Sequence, residues 1–87
     1  MYAIIYWVRD SDDEIFFITK KQVNAKCRSK AGMMLTDKNK NQFLSEVHVP
    51  DGVWVSETLK EADKIASKME KKLNIDCRVI SIEGVID

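Results

Sequence analysis

The sequence predicts an α+β protein with one antiparallel or mixed sheet of about five strands and a long helix packed on one sheet face. Two observations lead to this expectation. Short runs rich in β-branched and aromatic residues recur between turn residues, and one segment in the second half has the apolar spacing of an amphipathic helix. The 87 residues contain no repeat, linker or low-complexity tract, so residues 1–87 are expected to form a single domain.

The first element is a predicted hairpin. Tyr2–Arg9 and Glu14–Thr19 are the two strands, and the polar residues Asp10–Asp13 form the turn. Both faces of this hairpin are apolar, whereas an antiparallel sheet needs only one apolar face. If no second element covers the face opposite the long helix, an apolar patch stays open there, and such patches mark partner or dimer surfaces.

A short basic helix is predicted next, from Lys20 to Ala31. Thr19 followed by Gln22 matches a capping box, and Gly32 suits the position after a helix end. A continued strand is the competing interpretation of this segment.

The middle of the chain reads as short strands and turns. Met33–Thr36 is a predicted strand, and Phe43–Val49 alternates as a strand does. The sequence Pro-Asp-Gly at 50–52 predicts a turn, because glycine accepts a positive φ. Val53–Val55 is then expected to return as the partner strand.

The clearest helix is predicted over Glu57–Leu73. Thr58 and Glu61 form a second capping box, with Ser56 as the alternative cap, and Asn74 can end the helix in the left-handed conformation. Its apolar stripe faces the sheet. A closing strand is predicted over Cys77–Glu83. The stripe consists of Leu59, Ala62, Ile65, Ala66, Met69 and Leu73.

Charge is polarised along the chain although its net value is zero. The segment Lys20–Lys40 has seven positive residues and one negative, Asp37, so it carries +6 and the remainder carries −6. Such a dipolar surface can steer a charged partner. Its positive residues are Lys20, Lys21, Lys26, Arg28, Lys30, Lys38 and Lys40.

Localisation is expected to be cytoplasmic. The start of the chain lacks a basic leader with a cleavage site, and no apolar run approaches the ~20 residues that cross a bilayer. Cys27 and Cys77 lie far apart without a CxxC motif, which favours free thiols over a disulfide or a zinc site.

No residue pattern predicts catalysis, a cofactor or a metal, and the chain is expected not to be an enzyme. The acidic loop at Asp10, Asp12 and Glu14 has calcium-loop spacing, but Ile15 and Lys21 replace the required glycine and bidentate glutamate. The single histidine, His48, is not tied by a motif to a nucleophile. Cys27 lies between two basic residues, which can lower a thiol pKa, yet a packing cysteine is far commoner.

The sequence therefore predicts a small non-catalytic protein-binding module of accessory or inhibitor type. The small size, the missing motifs and the polarised charge fit an accessory protein encoded by a phage or mobile element, and the partner is expected to be another protein or a second copy in a homodimer. Aromatic side chains dominate interfaces, so the predicted partner-binding residues are Tyr6, Trp7, Phe16, Phe17 and Trp54.

The alternative is a nucleic-acid-binding protein that uses Lys20–Lys40 for phosphate contacts. No recognised nucleic-acid motif is present, and the aromatics precede the basic residues rather than alternate with them.

Overall fold

A computed structural model describes residues 1–8, 15–24, 33–34 and 48–86. The elements in these ranges are seven strands and two helices. They are β1 (Tyr2–Val8), β2 (Phe16–Phe17), α1 (Lys20–Asn24), β3 (Met33–Met34), β4 (His48–Pro50), β5 (Val55–Ser56), α2 (Leu59–Leu73), β6 (Ile75–Ser81) and β7 (Gly84–Ile86).

β1 is the centre of the main sheet. On one side it pairs antiparallel with β6 along its whole length, from Tyr2 opposite Ser81 to Val8 opposite Ile75. On the other side β2 and β5 pair antiparallel with different parts of β1, and β3 continues the sheet beyond β2. The antiparallel pairing of the first two predicted strands and the α+β fold class are confirmed.

α2 connects β5 to β6 and crosses β1 on one face of the sheet. Both strands run antiparallel to β1, so they are parallel to each other and need a long crossover connection. Ala66, Met69 and Leu73 of α2 are buried against a sheet face built around Ile4, Tyr6, Ile18 and Ile75. Ala62 of the same helix is also fully buried. The predicted stripe has one exception, since Leu59 remains 49 % exposed at the first turn.

The other face of the main sheet is covered by a second, two-stranded sheet. β4 and β7 pair in parallel, and Val49 packs with Ala3, Ile5 and Phe17 in one buried cluster. Val53 and Ile82 complete this cluster. Both faces of the β1–β2 pair are therefore buried within the chain, which explains why both faces of its sequence are apolar.

β7 was not predicted, and two strand assignments differ from expectation. The predicted closing strand begins earlier, at Ile75, because Asn74 adopts φ 53 and ψ 53 and turns the chain directly from α2 into β6. The prediction that Val53–Val55 pairs with the strand before the 50–52 turn is wrong for the described part of that strand. Val53 bridges to Thr19, Val55–Ser56 pairs with β1, and β4 pairs with β7.

The Pro-Asp-Gly turn forms as predicted. Val53 N–H donates to the Pro50 carbonyl at 3.3 Å, and Gly52 has φ 101, a conformation that a side chain disfavours. Lys20 N–H donates to the Gly52 carbonyl at 2.9 Å, so this turn also anchors the start of α1.

α1 begins where the sequence predicts, directly after Thr19. It runs for five residues to Asn24, and the rest of the predicted Lys20–Ala31 helix lies outside the described residues. The predicted turn at 10–13 and most of the strand Phe43–Val49 also lie outside them.

Candidate functional site: an exposed row of lysines

The solvent face of α2 carries a row of lysines. Lys60, Lys64, Lys68 and Lys71 are all exposed, and at 3.6 residues per turn they project within about 80° of one another. The row is about 16 Å long at ~1.5 Å rise per residue. The four side chains lie on the side of α2 opposite the buried stripe, so they point away from the sheet. We call these four residues the lysine row.

The helix that carries this row is fixed at both ends. At its start Thr58 is the N-cap, and the Thr58 hydroxyl accepts a hydrogen bond from Glu61 N–H at 3.3 Å. At its end the Asn74 N–H donates to the Glu70 carbonyl. Together with the buried stripe, these caps hold the four ammonium-bearing side chains on a rigid element.

Like charges at this spacing do not stabilise a helix. Lys60, Lys64 and Lys68 follow one another at i, i+4, and each such pair costs an isolated helix a few tenths of a kcal/mol (~0.2–0.5). Within the described ranges, none of the four lysine-row ammonium groups lies within 4 Å of a carboxylate oxygen. Repulsion between neighbouring lysines therefore opposes this arrangement rather than favouring it.

Lys72 belongs to the fold rather than to the row. Its Nζ donates to the Gln22 carbonyl at 3.2 Å and so ties the last turn of α2 to α1. The Gln22 carbonyl belongs to α1, so α1 adjoins the last turn of α2. Two further exposed lysines, Lys20 and Lys21, lie on α1.

The predicted charge-steering residues are only partly described. Lys20 forms an exposed ion pair with Asp51, with 3.5 Å between Nζ and Oδ1, and Lys21 faces solvent. Lys26, Arg28, Lys30, Lys38 and Lys40 lie outside the described residues.

The predicted partner-binding aromatics divide into two groups. Tyr6 and Phe17 are buried in the two cores on opposite faces of the sheet. Trp7, Phe16 and Trp54 are half-buried, and Phe16 stacks on Tyr6 with ring centroids 5.3 Å apart. Tyr6 and Phe17 are thus core groups in this structure, and the surface proposed below is built from other residues.

The described thiol and imidazole groups, Cys77 and His48, lie on different sheets. Burial, together with the negative charges of Glu70 and Asp76, raises the pKa of the Cys77 thiol to about 12, so at neutral pH it is protonated and a poor nucleophile. His48 is exposed, and its ring lies over Gly84 on the neighbouring strand. Among the described side chains, no three His, Cys, Asp or Glu residues lie close enough together to hold a metal ion. Cys27 and the acidic loop lie outside the described residues.

The lysine row was not predicted, although the signal was present. Lys71 lies in the last turn, where a positive charge suits the negative end of the helix dipole, and that effect is confined to the last turn. Lys60 and Lys64 lie far from that end, so the same four-residue spacing that defines the buried stripe would have identified the row.

Neither helix in the described ranges combines the length and apolar character needed to span a membrane. Comparison of the chain with protein-family models, with curated proteins and with solved structures gives no match.

Proposed function

We propose that this chain is a small non-catalytic binding module, of accessory or inhibitor type, that docks an acidic protein through the lysine row of α2. The observation that carries this proposal is four exposed positive side chains on one face of a helix whose opposite face is locked onto the sheet. A rigid charged surface of this kind accelerates association with an oppositely charged partner.

The charges that flank the row favour a protein partner. Glu61 projects on one side of the row and Asp63 and Glu70 on the other, and a uniformly negative phosphate backbone would be repelled at both margins. A protein surface with carboxylates at its centre and basic residues at its rim matches this arrangement, because complementary potentials also exclude wrong partners.

The residue types at the site point the same way. Lysine is a compact point charge and lacks the planar fork with which arginine recognises phosphate in two contacts at once. Base stacking also requires exposed aromatic faces, and Trp54, beside the α2 core, is packed against that core rather than displayed next to the row. Nucleic-acid binding through Lys20–Lys40 therefore remains the alternative.

The experiment uses three forms of the chain and two probes. The forms are the wild type, a variant with Lys60, Lys64, Lys68 and Lys71 changed to Gln, and a matched variant with the same four residues changed to Arg. The probes are poly-L-glutamate and a generic duplex DNA, each titrated at low and at physiological salt. All three forms should keep the same helical circular dichroism, since these side chains are exposed.

We expect poly-L-glutamate to bind the wild type and the Arg variant at low salt, and binding to the Gln variant to fall at least about tenfold, which corresponds to ~1.4 kcal/mol. Added salt should mimic the substitution, because screening confines exposed charges to ~8 Å at ~0.15 M. Tighter binding to DNA than to poly-L-glutamate, with a linear log–log salt dependence, would promote the nucleic-acid alternative. Binding of neither probe, or equal binding by the Gln variant, would exclude the lysine row as a docking site.

A further inference from the structure

The outer edge of β6 presents a strand that the rest of the described chain does not pair. β6 bonds to β1 through seven consecutive residue pairs, and no strand in the described ranges pairs with its other edge. We propose that a second copy of this chain pairs with this edge, antiparallel, about a two-fold axis at Cys77. This inference goes beyond the proposed function, and it rests on different residues.

The hydrogen-bond register identifies which backbone groups point outward. Ile82 N–H donates to the Met1 carbonyl at 2.8 Å, so residues 76, 78 and 80 of β6 direct their N–H and C=O groups toward β1. On the other side of β1, Ile18 N–H donates to the Ile4 carbonyl, which is the alternation that this register requires. The outward backbone groups of β6 are therefore those of Ile75, Cys77, Val79 and Ser81.

A two-fold axis at Cys77 pairs three of these four residues, whereas an axis at Arg78 would pair all four but set two arginines opposite each other. Cys77 faces the partner's Cys77 as a hydrogen-bonded pair, and Ile75 faces the partner's Val79 in the same way. The alternate positions are non-bonded pairs, in which side chains approach most closely. In this register Asp76 lies opposite the partner's Arg78, and Arg78 lies opposite the partner's Asp76.

These cross-strand pairs are complementary in charge. Arg78 is exposed in the single chain, so a carboxylate of a second copy can reach its guanidinium. Asp76 is half-buried and also interacts within its own chain, and its remaining negative charge still favours a cation opposite. Opposite charges directly across an antiparallel pair are favourable, whereas like charges there are unfavourable.

β6 also lacks most of the features that keep an edge strand unpaired. Natural edges are protected by charged side chains, lysine above all, by proline, by bulges or by short length. The two charged residues of β6, Asp76 and Arg78, have opposite signs, so they do not repel a second copy in this register. β6 has seven residues, IDCRVIS, with neither proline nor lysine, and its register with β1 is continuous. The proposed dimer joins the two main sheets and places both copies of α2 on the same face, so that their lysine rows share one side of the assembly.

The test measures the oligomeric state by sedimentation equilibrium over a wide concentration range. We expect a monomer–dimer equilibrium for the wild type and a dissociation constant about tenfold higher for Arg78→Asp, because both cross-strand charge pairs become repulsive. Asp76→Arg alone should weaken the dimer in the same way. An equimolar mixture of the two variants should form a heterodimer, since every charged pair is then complementary again.

A backbone variant tests the edge without changing charge. Val79→Pro removes an outward N–H and leaves the β1 ladder intact, whereas Ile80→Pro removes an N–H that bonds to β1. The first should abolish the dimer and keep the circular dichroism of the monomer, and the second should lose the fold. A wild type that stays monomeric at its highest attainable concentration would overturn the proposal, as would a dimer unaffected by both Arg78→Asp and Val79→Pro.

Discussion

The two helices begin with the same sequence motif in contrasting surroundings. Thr19 with Gln22 starts α1, and Thr58 with Glu61 starts α2, each with a threonine cap and an acceptor side chain three residues later. The first box lies inside the protein, with Gln22 only 1 % exposed, and the second lies at the surface.

The α1 box is closed and connected to the core. Thr19 N–H donates to Gln22 Oε1 at 2.9 Å, and Gln22 N–H donates back to the Thr19 hydroxyl at 3.3 Å. Gln22 Nε2 then donates to the Tyr6 hydroxyl at 3.2 Å, a buried bond to the central strand. A five-residue helix is too short to be stable by itself, so this network fixes its position.

In the α2 capping box the Glu61 side chain does not bond directly to Thr58 N–H, because Ser56 lies between them. Thr58 caps Glu61 N–H, but the Glu61 carboxylate accepts from the Ser56 hydroxyl at 3.0 Å instead of from Thr58 N–H. Ser56 Oγ in turn accepts from Thr58 N–H at 3.2 Å. At α1 the motif is part of the buried core, whereas at α2 it only fixes where the helix begins. Breaking the motif should therefore lower the free energy of unfolding more at α1 than at α2.

The largest effect is expected for Gln22→Ala. It removes hydrogen bonds at both ends of a buried amide and leaves a cavity beside Tyr6, so the free energy of unfolding should fall by about 3 kcal/mol. Urea denaturation gives the value. Gln22→Met keeps the volume, and a loss as large as that of Ala would assign the whole effect to the polar contacts.

Tyr6→Phe should have the next largest effect. The ring keeps its stacking on Phe16, but Gln22 Nε2 loses a buried acceptor, which costs about 1–2 kcal/mol. The same denaturation experiment measures it. In a protein that already carries Gln22→Met, Tyr6→Phe should lower the free energy of unfolding much less. An equally large loss in that protein would show that the Tyr6 hydroxyl acts through a contact other than Gln22.

Thr58→Ala should lower the free energy of unfolding by about 1 kcal/mol, the usual loss for an N-cap. Ser56→Ala should cost a similar amount, since Ser56 is buried and holds both Thr58 N–H and the Glu61 carboxylate. Thermal melts of the single and double variants test this linkage. Losses that simply add would mean that the two hydroxyls act independently.

The smallest effect is expected for Glu61→Gln, about 0.3–0.5 kcal/mol. The amide still accepts from Ser56, so only the favourable interaction of a negative charge with the helix N-terminus is lost. Its loss should shrink in high salt, whereas the loss in Gln22→Ala should be insensitive to salt because that site is buried and neutral. A large, salt-independent effect at Glu61 would contradict the contrast between the two boxes.

Local signals in the sequence were sufficient for these helix starts and for the β1–β2 hairpin. They could not supply β7 or the parallel pairing of β4 with β7, because such pairing joins distant segments and leaves no local pattern. The burial of Gln22 was also beyond prediction, since glutamine is usually exposed and its partner Tyr6 lies sixteen residues away. The lysine row was predictable from residue spacing alone. The proposal of an acidic protein partner also needs the positions of the flanking acidic residues around the helix.

The pairing of β1 with β6 also has a consequence for synthesis. Their partnered residues are separated by between 67 (Val8 with Ile75) and 79 (Tyr2 with Ser81) positions along the chain. Contacts of such long range slow folding, since a large loop must close first. During translation the apolar segment YAIIYWV therefore emerges long before its main partner exists, and such a stretch is prone to aggregate. A chain that ends before Ile75 would hold β1 with β2 and β5 but with its longest edge, the one that pairs with β6, unpaired.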